Sequence, residues 1–242
     1  MRIYADHALI IPDVHMDVAW VERIFAQEKI EGEVIFLGDY LDSYHEPPRV
    51  ATPDAVFEML SRLIGDSRVT MLPGNHDVQY AYELKQGWPA ALRNPHRCSG
   101  YRPGIGNAAA AWDFDLIYDD MEPCVLLNEK YLLSHAGIRP SAWHPSADYD
   151  DIYAALALQK DGLDPAEPYY AVGRERGGMS RYGGPLWQDW TTFQPIPGIV
   201  QIVGHTGREL PNKVDTYGNM CIDNNQTTYA VLEDGQIHLR RA

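Results

Sequence analysis

The run Val34-Ile35-Phe36-Leu37-Gly38-Asp39-Tyr40-Leu41-Asp42 opens with four apolar residues and then stops at a glycine and two aspartates. Apolar residues without polar alternation predict a strand covered on both faces, and Gly38 suits a tight turn at its end. Carboxylates at the carboxyl end of a parallel strand stand where open α/β sheets bind their ligands. Working back, Ala8 to Ile11 reads as another buried strand, stopped by Pro12 and followed at once by Asp13-Val14-His15. Between them Val18, Val21, Ile24 and Phe25 recur at helical spacing within residues 17–29, so the unit is β-α-β and its strands are expected to be parallel neighbours. Working forward, residues 53–64 carry Val56, Met59, Leu60 and Leu63 at helical spacing. A strand over 68–72 then ends in Pro73-Gly74-Asn75-His76-Asp77. Three successive strands thus each finish in a cluster of Asp, Asn or His, a repetition that chance placement does not readily produce.

The second half repeats the device. Residues 125–127 and 130–133 read as a hairpin about Asn128-Glu129, with Ser134-His135-Ala136-Gly137 at its exit. A strand over 199–203 runs into Gly204-His205-Thr206-Gly207, and 220–223 with a hairpin over 227–239 complete a second sheet. An insertion at about 138–184, with a helix at 149–159 and a loop rich in Gly and Arg, separates two site-bearing strands and is expected to overhang the site. The stretch 78–120 shows only a helical segment at 108–114 and receives no role. The fold class is α/β, and residues 1–242 are expected to form one domain.

With 45% hydrophobic residues the chain has ample material for a core, and no apolar run is long enough to span a membrane. The start of the chain lacks the pattern of a secretory signal, so a cytoplasmic protein is expected. Cys98, Cys124 and Cys221 are widely spaced, which indicates neither a disulfide framework nor a zinc ribbon, and they are expected to be structural reduced thiols. A net charge of −14 excludes a broad nucleic-acid surface, because such binding depends on neutralising phosphates with Lys and Arg. It still allows a small phosphorylated substrate drawn to bound cations. The oligomeric state is left open.

Collected in order, the strand-end donors are Asp13, His15, Asp39, Asn75, His135 and His205, all oxygen or imidazole nitrogen. Such a set suits hard or borderline divalent ions such as manganese, iron, zinc or magnesium, and it oversupplies a single ion. The motifs D-x-H, G-D-x-x-D, G-N-H-D, S-H-A-G and G-H-T, in this order from Asp13 to Thr206, resemble those of the calcineurin-like metallophosphoesterase superfamily. The resemblance implies a four-layer α/β/β/α sandwich of two mixed sheets, with the metal site at strand ends. It implies two divalent ions, manganese, iron or zinc, the first held by Asp13, His15 and Asp39. It implies that Asp39 bridges to a second ion, held also by Asn75, His135 and His205. It further implies that a hydroxide between the ions attacks phosphorus, that His76 protonates the leaving oxygen, and that Asp42 orients His76.

The G-H-T ending and the run Gly184-Pro185-Leu186-Trp187 are closer to the phosphoprotein phosphatase and diadenosine polyphosphate hydrolase branch. That branch usually reads G-D-x-x-D-R-G and R-G-N-H-E, whereas this chain has Ser43, Pro73 and Asp77 in place of the two arginines and the glutamate. Arginine grips phosphate through a planar fork that serine cannot reproduce. Replacement clamps are expected from Arg174, Arg176 and Arg181 of the insertion or from Arg139, with Arg181 preferred for its proximity to Trp187. The expected activity is hydrolysis of a small phosphate ester or nucleotide. The alternatives are diadenosine polyphosphate hydrolysis or protein Ser/Thr phosphatase activity, and a non-enzymatic metal-binding module is disfavoured by the intact Asp42 and His76. Asp77 is read equally as a support for the ligands or a helix cap, and Asp223 equally as a site residue or a turn aspartate. His7, His45, His96, His144 and His238 match no motif and are expected to be structural or surface residues.

Overall fold

Strands with no polar alternation must be covered twice, and the computed structural model of this chain shows how. It describes residues 1–29, 32–45, 49–87, 93–142, 148–207 and 213–242; His144 lies outside them. In chain order the first half contains β1 (Arg2–Ile3), β2 (Ala8–Ile11), α1 (Val18–Glu28), β3 (Glu33–Phe36), α2 (Pro53–Ile64), β4 (Val69–Met71) and α3 (Asn75–Gln86). There follow α4 (Pro103–Ala111), α5 (Phe114–Asp119), β5 (Val125–Leu127), β6 (Tyr131–Leu133) and α6 (Tyr149–Gly162). The chain closes with β7 (Val200–Val203), β8 (Lys213–Val214), β9 (Met220–Cys221), β10 (Thr228–Glu233) and β11 (Gln236–Arg241).

One sheet has the order β11-β10-β2-β3-β4 and the other β1-β5-β6-β7-β9-β8. β2, β3 and β4 are parallel, with Ile10 opposite Ile35 and Val34 opposite Val69, while β10 runs antiparallel to β2. In the second sheet β5 and β6 form the expected antiparallel hairpin, and β6, β7 and β9 are parallel. Both sheets are therefore mixed.

Alternation along the strands divides the apolar side chains between two cores. Ala8, Ile10, Ile35, Leu37 and Leu72 meet Val125, Leu127, Leu133 and Ile202 of the other sheet. The intervening Leu9, Ile11, Val34 and Phe36 pack with Trp20, Val21 and Ile24 of α1 and Val56 and Leu60 of α2. On the far side Leu126 and Leu132 join Ile152 and Leu156 of α6. Helices thus cover the outer faces of two facing sheets. No helix among the described residues is long and apolar enough to cross a membrane.

Five elements differ from the sequence reading. α3 occupies residues that were given no element, because its first seven residues, Asn75 to Ala81, are all buried and present no amphipathic stripe. The helical stretch at 108–114 is instead the end of α4 and the start of α5, broken at Asp113, whose backbone is left-handed at φ 47°. β1 and β8 are two residues each, too short for a period-two pattern to register.

Candidate metal centre

The polar clusters converge where β2, β3 and β4 of one sheet and β6 and β7 of the other reach their carboxyl ends. The loops there are held under strain: His15, Asp39, Asp42 and His205 all have left-handed backbones, with φ of 45°, 52°, 59° and 64°. Each such residue costs about 1–2 kcal/mol in isolation, so surrounding bonds must hold it. The Asp39 carbonyl accepts from Val14 N–H at 3.1 Å and His15 N–H at 2.7 Å, tying the first two motifs together. The fully buried Asp77 carboxylate accepts from Gly74 N–H and Asp39 N–H at 2.8 Å, Tyr40 N–H at 3.0 Å and Leu41 N–H at 3.2 Å. Asp77 is therefore both the cap of α3 and the support of the Asp39 loop, the two roles the sequence left equal. Two glycines allow close approaches to these carboxylates. A Cβ on Gly74 would lie 2.1 Å from Asp39 Oδ1, and one on Gly204 would lie 2.1 Å from Asp13 Oδ1.

Six donors fall into two groups that share Asp39. In the first, His15 Nε2 lies 3.9 Å from Asp13 Oδ2 and 3.8 Å from Asp39 Oδ2. His15 Nδ1 is 3.1 Å from the Asp42 carbonyl, which as an acceptor places the ring proton on Nδ1 and leaves the Nε2 lone pair facing the carboxylates. In the second, His135 Nε2 lies 3.1 Å from Asn75 Oδ1, 3.2 Å from His205 Nδ1 and 3.5 Å from Asp39 Oδ2. His135 Nδ1–H donates to the Leu37 carbonyl at 2.8 Å, so its Nε2 likewise offers only a lone pair.

Carboxylate and imidazole donors gathered this closely, with the Nε2 lone pairs of His15 and His135 facing Asp39, fit divalent metal ions. Electrostatics agree. Burial lowers the pKa of His15 to about 4 and holds those of His135 and His205 below the ordinary value, so all three are neutral and able to ligate at neutral pH. Burial pushes Asp13 up, reinforced by the charges of Asp223 and Asp39, a concentration of negative charge that a cation would relieve.

Beside these donors His76 is anchored on both sides. Its backbone N–H donates to Asp39 Oδ1 at 2.9 Å and its Nδ1–H to Asp42 Oδ2 at 2.9 Å. Asp42 also accepts from Gln79 Nε2 and from the Tyr80 hydroxyl, both at 2.5 Å. Burial favours a neutral His76 ring, but the charge of Asp39 and the bond to Asp42 outweigh it and hold the pKa well above the ordinary value. A protonated imidazole that lines the cavity and has its Nδ1–H taken by Asp42 keeps its Nε2 proton to give to a departing oxygen.

Residues 7–209 match the family described as calcineurin-like phosphoesterase. The chain belongs to that family. No curated protein matches it. Among solved structures, a cold-active protein-tyrosine phosphatase of a psychrophilic Shewanella species superposes with a TM-score of 0.68 at 16% identity, over 99% of this chain and 79% of that one. A protein provisionally assigned as a diadenosine tetraphosphatase gives 0.54 at 14% identity, over 100% and 97%. A protein serine/threonine phosphatase from Saccharomyces cerevisiae gives 0.54 at 15% identity, over 98% and 80%. Likeness at such identities is one of fold. As a calcineurin-like phosphoesterase the chain is a phosphoester hydrolase of a metal-dependent family.

The centre of this phosphoesterase opens into a cavity of about 350 Å³. Of the four arginines nominated from sequence, Arg176 lines it. Its Nη2 donates to Thr206 Oγ1 at 3.1 Å and its Nε pairs with Asp189 at 2.8 Å. The preference for Arg181 is not matched by its placement: it is exposed, and its guanidinium lies over the Tyr182 ring. Arg174 is exposed, and Arg139 lines a separate groove beside α6. The reason is local. The bonds Arg174 N–H to Ser180 O and Gly178 N–H to Gly173 O fold residues 173–180 back on themselves, so sequence distance from Trp187 does not report which arginine faces in.

Other cavity residues escaped the sequence reading. His45, taken as structural or surface, lines the cavity and bonds Gln226 Oε1 at 3.1 Å. Tyr44 stands over the entrance with its hydroxyl 3.5 Å from His76 Nε2, and Cys98, taken as a structural thiol, sits 3.5 Å from His76 Nδ1. Asp223 lines the cavity too, which makes it more than a turn residue. Ser43 is buried and turns inward to accept from His45 N–H at 3.1 Å. Its own motif position would have flagged Tyr44; nothing in the sequence brings Cys98 to this place.

Proposed function

We propose that this phosphoesterase binds two divalent ions, manganese, iron or zinc, and hydrolyses a small phosphate ester. The observation that carries the reading is that one carboxylate, Asp39, serves two donor groups while its other oxygen holds His76. Asp13, His15 and Asp39 would hold one ion, and Asp39, Asn75, His135 and His205 the other. Paired ions, when bound, lower the pKa of water and neutralise phosphoryl oxygens as charge builds. The remaining work falls to the chain. His76 holds a proton on Nε2 for the leaving oxygen, Asp42 fixes its tautomer, and Arg176 supplies a guanidinium for the phosphoryl group from the insertion at about 138–184. A reducing compartment such as the cytoplasm remains the proposed setting, because the wide spacing of Cys98, Cys124 and Cys221 in the sequence gives no disulfide framework.

The test is hydrolysis of p-nitrophenyl phosphate and bis-p-nitrophenyl phosphate with manganese. Turnover of the monoester alone identifies a monoesterase, and no turnover of either by metal-loaded protein overturns the proposal. Cleavage of a diadenosine polyphosphate is a second reading. It is favoured by a groove of about 720 Å³ that shares Cys98, Ser99, Arg176 and Trp187 with the cavity and gives room for a longer substrate. Nucleoside diphosphate products would support it. Protein phosphatase activity is the weaker alternative, because two phosphate-gripping arginines are replaced; phosphotyrosine and phosphoserine peptides test it.

A further inference from the structure

Cys98 brings to the site the one type of donor that the proposed dinuclear centre lacks. Its Sγ lies 3.5 Å from His76 Nδ1, and that nitrogen lies 2.9 Å from Asp42 Oδ2. Oxygen, nitrogen and sulfur donors of Asp42, His76 and Cys98 all fall within 4.8 Å of one another. Tetrahedral zinc places nitrogen and oxygen donors about 3.3 Å apart and nitrogen and sulfur about 3.5 Å apart. The sulfur spacing already matches, and the carboxylate needs to move by only about 0.4 Å on the same geometry. The scaffold holds two of the three donors through one amide: Gln79 donates from Nε2 to Asp42 Oδ2 at 2.5 Å and accepts at Oε1 from Cys98 N–H at 3.1 Å. Cys98 is half-buried and lines the cavity, so the three donors are reached from solvent through the substrate's own entrance.

We propose that Asp42, His76 and Cys98 form a third, inhibitory metal site selective for zinc. A thiolate favours zinc over manganese or magnesium, which separates this site from a centre built only of oxygen and nitrogen donors. On binding, the Cys98 thiol proton and the His76 Nδ1 proton leave to solvent. Thiolate and carboxylate then neutralise the ion, and imidazole completes the protein ligands. No electron is transferred. The consequence for turnover rests on the proposed role of His76: a ring bonded to zinc through Nδ1 has lost its bond to Asp42 and is no longer an imidazolium, and the Nε2–H it keeps is far too weak an acid to protonate a leaving oxygen. The metal site itself does not depend on that role.

Protein loaded with manganese is titrated with cobalt(II), a spectroscopic substitute for zinc. A sulfur-to-cobalt charge-transfer band in the near ultraviolet is expected, and its loss in Cys98→Ser at unchanged manganese content assigns it to Cys98. In the unaltered protein, zinc should slow alkylation of Cys98 by iodoacetamide at least tenfold, read by mass spectrometry with buried Cys124 and Cys221 as internal references. This arm stands even if Cys98→Ser fails to fold. Against its own zinc-free rate, Cys98→Ser should need at least tenfold more zinc for half-inhibition. Absence of the band together with alkylation indifferent to zinc overturns the site, as does a band that persists in Cys98→Ser. Equal zinc sensitivity of the two proteins overturns its inhibitory role. A band and zinc protection in a protein inactive on every phosphate ester would uphold the site while the hydrolase proposal failed.

Discussion

Removing the His76 imidazole takes away a proton donor and leaves every proposed ligand of the dinuclear centre in place. His76→Ala is expected to cut turnover of an alkyl phosphate about 10²- to 10⁴-fold with unchanged metal content. The loss should be smaller for p-nitrophenyl phosphate, whose leaving group needs no proton; equal losses would remove His76 from the acid role. The pH profile follows from the raised pKa of His76. An acid works only while protonated, so the rate falls as pH rises through that pKa. Asp42→Asn removes an anion that favours the imidazolium, and the alkaline limb of kcat/KM should therefore move to lower pH; a limb that stays in place refutes the coupling. For Arg176, loss of a charged hydrogen bond to phosphate is worth about 1.5–3 kcal/mol. Arg176→Ala should accordingly raise KM by about tenfold or more, and Arg176→Lys should recover little of it because an ammonium has no fork. Steady-state kinetics on a single substrate decide both.

α3 is the element on which the site depends most and the one the sequence showed least. Its third residue, Asp77, gathers four backbone N–H groups from two loops. Asp77→Ala strands those donors in the interior and is expected to cost about 2–4 kcal/mol of stability, read as a lowered urea midpoint at an unchanged slope. It should also weaken metal binding, because the left-handed backbone of Asp39 loses its support. The proposed ligands were legible in sequence because each follows a short apolar strand, where the change from apolar to polar marks the strand end unambiguously. α3 was not legible, because polar residues such as Asn75, His76, Asp77 and Gln79 fill its buried half and erase the stripe that marks a surface helix. The walls of the cavity were hidden for a different reason. Tyr44, Cys98 and Arg176 reach it from loops whose paths are set by contacts with distant residues, such as the Tyr44 hydroxyl on Ser99 Oγ at 2.9 Å. Periodicity carries no information about such paths.

Across the whole molecule, the proposed ligands are divided between the sheets: Asp13, His15, Asp39 and Asn75 follow β2, β3 and β4, while His135 and His205 follow β6 and β7. Contacts already join the two sides, with His135 Nδ1 on the Leu37 carbonyl and His205 N–H on Asp13 Oδ1 at 2.9 Å. Ions held there would bind the folded chain and not the unfolded one. A free ion at a hundred times its Kd adds about 2.7 kcal/mol per site, so chelation should lower the melting temperature by several degrees in proportion to the metal removed. A melting temperature indifferent to chelator would mean that metal does not bridge the sheets. The division also has a consequence in time. On the ribosome Asp13 emerges well before His205, so a growing chain can complete the six-donor set only after the strands that carry both have been made and the two sheets docked. If both proposed ions are needed for turnover, hydrolytic competence then becomes a report on finished folding.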